Sequence, residues 1–523
     1  MWGLHGIHVC LTQWFPTIAV LLLGCVFTEQ LAVCLGAALV GSRGGRIMAG
    51  EETAIGYLNE NYKKFSQMAR AIWENPEIGL DEKFASKTIA DELEKAGFAV
   101  EFGAGQMETA FVASWGEGTP IIGILGEYDA LPSLSQDATP ERNELVPGGP
   151  GHGCGHNLYG VGALGAALAM KEAMQEQGIT GTVRYYGCPA EETLTGKTYM
   201  ARDGVFDDLD ASITWHPGYA NTVPINSSSL AMNSFKVHFK GQASHAAAVP
   251  HMGRSALDGA MLMDIGVNYL REHIIQDARI HSVIKDGGEA PNVVPPTSTI
   301  WYFVRAPKRD QVESIYQRML DCAKGAALMT GTTYEVEFLT GCYEMLPNAV
   351  VSNIMLDKME DIGGIEFSHD DMEFARQLQA SIPPEIIEMS REQTLKSSIA
   401  GTTADDIGDV LCENVIRPSE EFRIGHGSTE VADVSQITPT ANMWACCHPL
   451  GAPGHSWQIT ASSGAEIGFK GMDFAAKSMA LTGLELMVNK EALEAAKKEF
   501  VEATGGRKYV TPLPEGATPK KGG

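Results

Sequence analysis

From residue 51 onward, apolar positions fall into alternating helical and extended rhythms. Ile55, Leu58, Tyr62, Phe65, Met68 and Ile72 recur every three or four residues, which predicts an amphipathic helix over 51–73. A second helix over 84–98 ends at Lys95-Ala96-Gly97, a cation and a glycine at a helix stop. Segments 109–115 and 120–128 read as strands, the latter a near-continuous apolar run of the kind buried on both faces. A helix of small residues from Leu158 to about Met174 follows, then short strands at 183–188 and 211–215. Strands alternating with helices predict an α/β fold whose mixed, doubly wound sheet is covered on both faces.

Around Ser229 the rhythm changes. Phe235, Val237 and Phe239 alternate with polar residues, as in a strand with one wet face. A helix over 255–271, strands at 281–284 and 297–304, a helix over 310–329 and a strand through Tyr334, Val336 and Phe338 complete the set. Four strands and two helices in this order predict an inserted α+β sandwich. The expected division is a catalytic domain in two parts, 49–228 and 345–495, interrupted by the insert at 229–344. A surface insertion of helical character covers 373–397, the sheet resumes at 438–445, and 464–488 closes it as a helix. An N-terminal extension at 1–48 and a tail at 496–523 flank these, the Pro-, Gly- and Lys-rich text from Gly505 reading as extended or mobile. At 523 residues the chain exceeds what one core supports.

Charge narrows the function. With 39 Lys and Arg against 65 Asp and Glu, the net charge is −26, which argues against nucleic acid or an anionic membrane as partner. The ten cysteines are scattered without a paired framework and fit a reducing compartment. Residues 15–40 are largely apolar but interrupted by Glu29-Gln30, and no Lys or Arg precedes them as a signal peptide requires. The expectation is a cytoplasmic protein whose translation starts at Met48. A real signal or anchor in 1–48 would make it exported or membrane-anchored.

Candidate chemistry gathers where elements end. In Gly151-His152-Gly153-Cys154-Gly155-His156-Asn157, a thiol and an imidazole sit one residue apart on a glycine-rich turn that opens a helix. Such a pair suits a divalent transition metal, and equally a buried thiol beside a polar loop residue. Asp129 stands at the carboxyl end of a strand, where open α/β sheets place ligands. Glu191-Glu192 follows another strand, so adjacent side chains would point to opposite sides and could divide the work of ligand and base. His216 in Trp-His-Pro and His455 in Pro-Gly-His-Ser-Trp are each unremarkable alone. Together, Cys154, His156, Glu192, His216 and His455 provide enough donors for two metals with an open position.

The motifs Glu-Tyr-Asp-Ala-Leu-Pro, His-Gly-Cys-Gly-His-Asn, Glu-Glu, Thr-Trp-His-Pro, Ala-Ser-His-Ala-Ala, Pro-Asn-Val-Val-Pro and Pro-Gly-His-Ser-Trp-Gln occur in this order. As a set they resemble the aminoacylase/carboxypeptidase superfamily of co-catalytic metallo-amidohydrolases, in the Cys-Gly-His branch that includes auxin-conjugate hydrolases. The likeness spans about residues 51–490. It implies Cys154, His156, Glu192, His216 and His455 as ligands of two divalent metals per subunit, manganese or zinc, with cobalt also admitted. It implies Glu191 as the base and Asp129 as the carboxylate that orients a ligand histidine. Many relatives in the branch have Asp after the ligand histidine where this chain has Asn157, a mark shared with the group acting on p-aminobenzoyl-glutamate. In the insert, the resemblance implies dimerisation and a His245 that reaches the partner's site, with Asn292 and Arg305 as further substrate residues. Arg305 ends a strand and can hold a substrate carboxylate bidentately. The expected reaction is cleavage of p-aminobenzoyl-glutamate to p-aminobenzoate and glutamate by a homodimer, or by a complex with a related A-type subunit. Alternatives are an N-acyl-amino-acid or auxin-conjugate amidohydrolase, a dipeptidase, or a non-catalytic subunit. The last would require lost ligands or a lost base, and all are present.

Overall fold

The computed structural model describes residues 50–520; the extension at 1–48 lies outside the described residues. The first elements are helices α1 (Glu51–Glu74) and α2 (Lys83–Lys95), then strands β1 (Ala99–Phe102), β2 (Phe111–Glu117) and β3 (Ile121–Glu127). Helix α3 (His156–Gln177) follows, then β4 (Gly181–Cys188), α4 (Gly196–Arg202) and β5 (Ala211–Gly218). The next six elements are β6 (Ala231–Lys240), α5 (Ala256–Leu270), β7 (Arg279–Asp286), β8 (Thr297–Ala306), α6 (Arg309–Thr330) and β9 (Thr333–Cys342). The chain then forms α7 (Ala349–Ile362), α8 (His369–Gln379), α9 (Pro384–Ser397), β10 (Thr440–Cys446), α10 (Trp457–Ser463), α11 (Glu466–Val488) and α12 (Lys490–Thr504).

Six strands form one sheet in the order β1-β2-β4-β3-β5-β10. The run β4-β3-β5-β10 is parallel, and β1 and β2 add an antiparallel margin. This is the mixed, doubly wound sheet that the strand–helix alternation predicts. Ile122 and Ile124 of β3 and Val183 and Tyr185 of β4 are buried in one large core with α1, α3 and α11. Leu125, Tyr186 and Cys188 turn to the other face, where Tyr199 and Met200 of α4 and Val431 and Val434 cover them.

Helix α3 explains why its sequence is so rich in Gly and Ala. It is buried along most of its length, and the Trp215 ring lies against Gly162, where an added Cβ would come within 2.9 Å of the indole. The Trp215 Nε1–H donates to the Tyr159 carbonyl at 3.0 Å, so the close approach also satisfies the buried indole. The core is near-solid there, and the site at the helix start inherits that rigidity.

The second sheet has the order β9-β6-β8-β7, all antiparallel, with α5 and α6 on one face over a separate core of Phe235, Val237, Phe239, Met263, Ile300 and Met319. After α12, the tail is extended as expected but fastened. Tyr509 Oη–H donates to Asp433 at 2.8 Å, and Leu513 is buried. Arg202 of α4 donates to the Ala517 carbonyl at 2.6 Å, and Lys520 pairs with Glu337 of β9 at 2.8 Å. The seven cysteines among the described residues are all free thiols. No helix among them is long and apolar enough to cross a membrane.

Candidate metal centre

Four irregular pieces of backbone deliver the site. The first is the turn into α3. Gly155 takes the left-handed conformation, φ +78°, which only glycine adopts without strain, and its Cα lies so close to Pro217 that a Cβ would stand 2.9 Å from that ring. His156 is thereby the first residue of α3, fully buried. The second piece follows β3, where Asp129 Oδ1 accepts from His156 Nδ1 at 2.9 Å and Oδ2 accepts the Glu192 N–H at 2.9 Å. One carboxylate thus aims the imidazole and ties down the glutamate turn, as metal sites require of the group behind the ligand. Burial works against the Asp129 charge, but His156 and the Glu192 amide outweigh it and hold its pKa below the usual value.

Glu191 and Glu192 are the third piece, and here the structure departs from expectation. Pro189 ends the β4 ladder, and the two glutamates sit not in extended chain but on a single 3₁₀ turn, Glu191–Thr193. Ala190 and Leu194 bracket it, both left-handed at φ +54°. Buried Glu82 braces the turn, its Oε1 accepting the Ala190 N–H at 2.8 Å. The side chains still diverge, because successive residues on a 3₁₀ turn are rotated by about 120°. The last piece is the Pro453–Ser456 turn, where His455 is left-handed at φ +54° and side-chain exposed. His216 lies within β5, its Nδ1–H donating to the Pro217 carbonyl at 2.8 Å, which leaves Nε2 as the acceptor facing Cys154 Sγ at 3.4 Å.

Three sets of ligand atoms lie mutually within 4.8 Å: Cys154–His156–His216, Cys154–Glu192–His455, and Glu127–His156–Glu191. Thiolate, imidazole and carboxylate donors of this kind suit a divalent transition metal. The electrostatics agree. Glu127 Oε2, His156 Nε2 and Glu192 Oε1 are buried without a hydrogen-bond partner. Without a cation, burial and then Glu127 and Glu430 drive the Glu191 pKa well upward, and burial lifts Glu192 to about 7 and the Cys154 thiol to about 12. A buried pocket so rich in unpaired acceptors calls for positive charge. The residues fit a divalent ion.

All five residues expected as ligands, with Glu191 and Asp129, therefore meet in one place. The residues of the insert expected to contact substrate do not join them by any hydrogen bond or ion pair among the described residues. His245 and Asn292 are exposed and adjacent, the Asn292 carbonyl accepting the Ala246 N–H at 3.0 Å. Arg305 donates to Ser428 Oγ at 3.3 Å. Sequence reading passed over Glu127, Lys197 and Glu430. Glu127 was within reach, since it stands two residues before Asp129 at the carboxyl end of the same apolar strand. Lys197 and Glu430 meet only through the fold.

Burial raises Glu82, Glu430 and Asp433 to about 7 each. A carboxyl raised on folding stabilises the protein below its unfolded pKa near 4 and loses that contribution as pH climbs through the folded value. Metal-free protein should thus melt a few degrees lower at pH 8 than at pH 5.5 by calorimetry, and Asp433→Asn should flatten the slope. A melting temperature rising over that interval would contradict the assignment.

Comparison with known proteins gives the chain a family. The profile of peptidase family M20/M25/M40 matches residues 123–448. The B-type subunit of p-aminobenzoyl-glutamate hydrolase from Escherichia coli is 40% identical over 467 residues, 87% of this chain and 96% of that protein. Mouse Xaa-Arg dipeptidase is 28% identical over 462 residues, 85% of this chain and 90% of its own. The crystal structure of an aminobenzoyl-glutamate utilization protein from Klebsiella pneumoniae shares the fold, with a TM-score of 0.54, 16% identity, and coverage of 83% of this chain and 98% of that one. The superfamily resemblance carried by the ordered motifs is borne out: the chain belongs to peptidase family M20/M25/M40.

Proposed function

We propose that this metal-dependent amide hydrolase cleaves p-aminobenzoyl-glutamate to p-aminobenzoate and glutamate. The observation that carries the reading is the cluster of thiol, imidazole and carboxylate atoms that includes Glu191, its Oε2 3.8 Å from His156 Nε2. The substrate follows from the likeness to the E. coli protein.

Cys154, His156, Glu192, His216 and His455 would hold two divalent ions, manganese or zinc, with cobalt as an alternative. When bound, such ions supply Lewis acidity to water and to the amide carbonyl. Glu191 takes a proton from the attacking water and returns it to the departing amine nitrogen as the C–N bond breaks. Its position 3.8 Å from His156 Nε2, on the turn next to Glu192, suits that shuttle. Asp129 keeps His156 and the Glu191–Thr193 turn in register for it.

Arg305 is half-buried, and no carboxylate among the described residues pairs with it, which suits capture of a glutamate carboxylate and disfavours a basic leaving residue. His245 Nδ1 accepts the Ala247 and Ala248 N–H groups at 3.3 and 3.2 Å, so Nε2 carries the proton and points an N–H outward. That donor, with Asn292 beside it, would reach the site of a partner subunit and stabilise the developing oxyanion. Met261, Ile265, Tyr269, Leu328 and Met329, exposed on α5 and α6, offer apolar surface for a homodimer.

The test is hydrolysis by purified protein with defined metals on p-aminobenzoyl-glutamate, N-acyl amino acids, an auxin–aspartate conjugate and Xaa-Arg dipeptides. The highest kcat/KM is expected on the first. Faster turnover of the dipeptides would replace this reading, and no hydrolysis of any amide would end it. The shared site makes its own prediction. His245→Ala and Glu191→Gln proteins, each nearly inactive, should recover up to about half the parent activity when co-expressed as verified heterodimers, because one of the two sites escapes both defects. Absence of recovery would confine His245 to its own chain.

A further inference from the structure

Lys197 is completely buried, a location lysine rarely occupies without charged partners. Its ammonium donates to Glu127 Oε1 at 2.6 Å and to Glu430 Oε1 at 3.2 Å. Both carboxylates are buried too, and in each the second oxygen, Oε2, has no hydrogen-bond partner. They differ in what lies next to them. Glu127 Oε2 is 3.4 Å from His156 Nε2, which is likewise buried and unpartnered. With an oxygen of Glu191, these atoms lie within 4.8 Å of one another. Glu430 belongs to no such group among the described residues.

A carboxylate oxygen and an imidazole nitrogen buried together without hydrogen-bond partners need positive charge between them. A direct charge-assisted hydrogen bond would close to about 2.7–2.9 Å, and this pair stays apart. The other atom of each group is already committed, His156 Nδ1 to Asp129 and Glu127 Oε1 to Lys197, so neither side chain can turn away. We infer that Glu127 is a further carboxylate ligand of the metal centre, binding through Oε2, and that Lys197 is the positioning residue that locks it. This rests on the metal-centre reading above. Lys197 offsets one of its two carboxylates, so one negative charge remains to face the ion.

Chelator-competition titrations of the metal-stripped protein with Zn(II), and separately with Mn(II), decide the matter without reference to turnover. Glu127→Gln leaves Lys197 paired with Glu430, so the fold should survive, as circular dichroism and melting would verify. It should weaken binding of one ion by about 10–100-fold or more, at least the loss seen when a supporting group of a metal site is removed. Glu430→Gln removes the same charge from Lys197 without touching the gap and should leave the affinity at the parent's value. The double change Lys197→Met with Glu430→Gln preserves net charge while freeing Glu127, and should weaken the same ion. Parent protein that binds neither metal would bring down the metal-centre reading itself. Tight binding by the parent, matched by Glu127→Gln, would overturn this inference alone, as would equal losses in Glu127→Gln and Glu430→Gln. Parent-like affinity in the double variant would remove Lys197 from the role.

Discussion

Replacing Glu191 by Gln should lower kcat for amide hydrolysis by about 10²–10⁴-fold while the metal bound per chain stays at the parent value. The reason lies in the turn that carries it. Glu191 and Glu192 are neighbours, yet Glu192 Oε2 lies 3.3 Å from His455 Nε2 in the set with Cys154, whereas Glu191 stands 3.8 Å from His156 Nε2 in the set with Glu127. Glutamine keeps the size of Glu191 and removes its capacity to accept the proton of water. Glu192→Gln should do the reverse and lower metal content first, with activity following. Elemental analysis and steady-state kinetics on the two variants separate the roles. Metal loss in Glu191→Gln together with normal metal in Glu192→Gln would exchange them.

His156→Ala should cost more than either, abolishing measurable activity and lowering metal affinity beyond the 10–100-fold typical of losing a supporting group. His156 belongs to two of the three ligand sets, has no solvent exposure, and is aimed by Asp129 through a 2.9 Å hydrogen bond. Its removal also leaves Glu127, Asp129, Glu191 and Glu192 facing one another with less to offset their charge. Asp129→Asn keeps the ligand but loosens its aim, so its loss should fall within that 10–100-fold range. Metal content and turnover that both survive His156→Ala would show that the ion, if any, sits elsewhere.

What could be read from the sequence follows from where the physics is local. The apolar run of β3 and the small-residue rhythm of α3 are set by burial on all sides, so both elements are plain in the text. The residues proposed as ligands were legible because glycine and proline mark the backbone irregularities that present them. The pairing of Lys197 with Glu430, 233 residues away, depends on packing that no short window contains. Strand β1 escaped notice because its four residues are mostly exposed and carry no burial pattern. The Glu191–Glu192 turn was misread as extended chain because two left-handed non-glycine residues enclose it, a strain that only the surrounding fold imposes.

The fastened tail sets a tether between the two sheets. From Ala517, gripped by Arg202 on the helix just after Glu191 and Glu192, to Lys520, paired with Glu337 of β9, only about three residue lengths of chain are available, roughly 10 Å when fully drawn out. While the Lys520–Glu337 pair holds, this short stretch and the two side chains at its ends link Glu337 of the four-stranded layer to α4. That pair is half-exposed, so dissolved ions weaken it. Raised ionic strength should therefore free this end of the tail first, while the Arg202–Ala517 and Tyr509–Asp433 contacts still hold the rest of it in place.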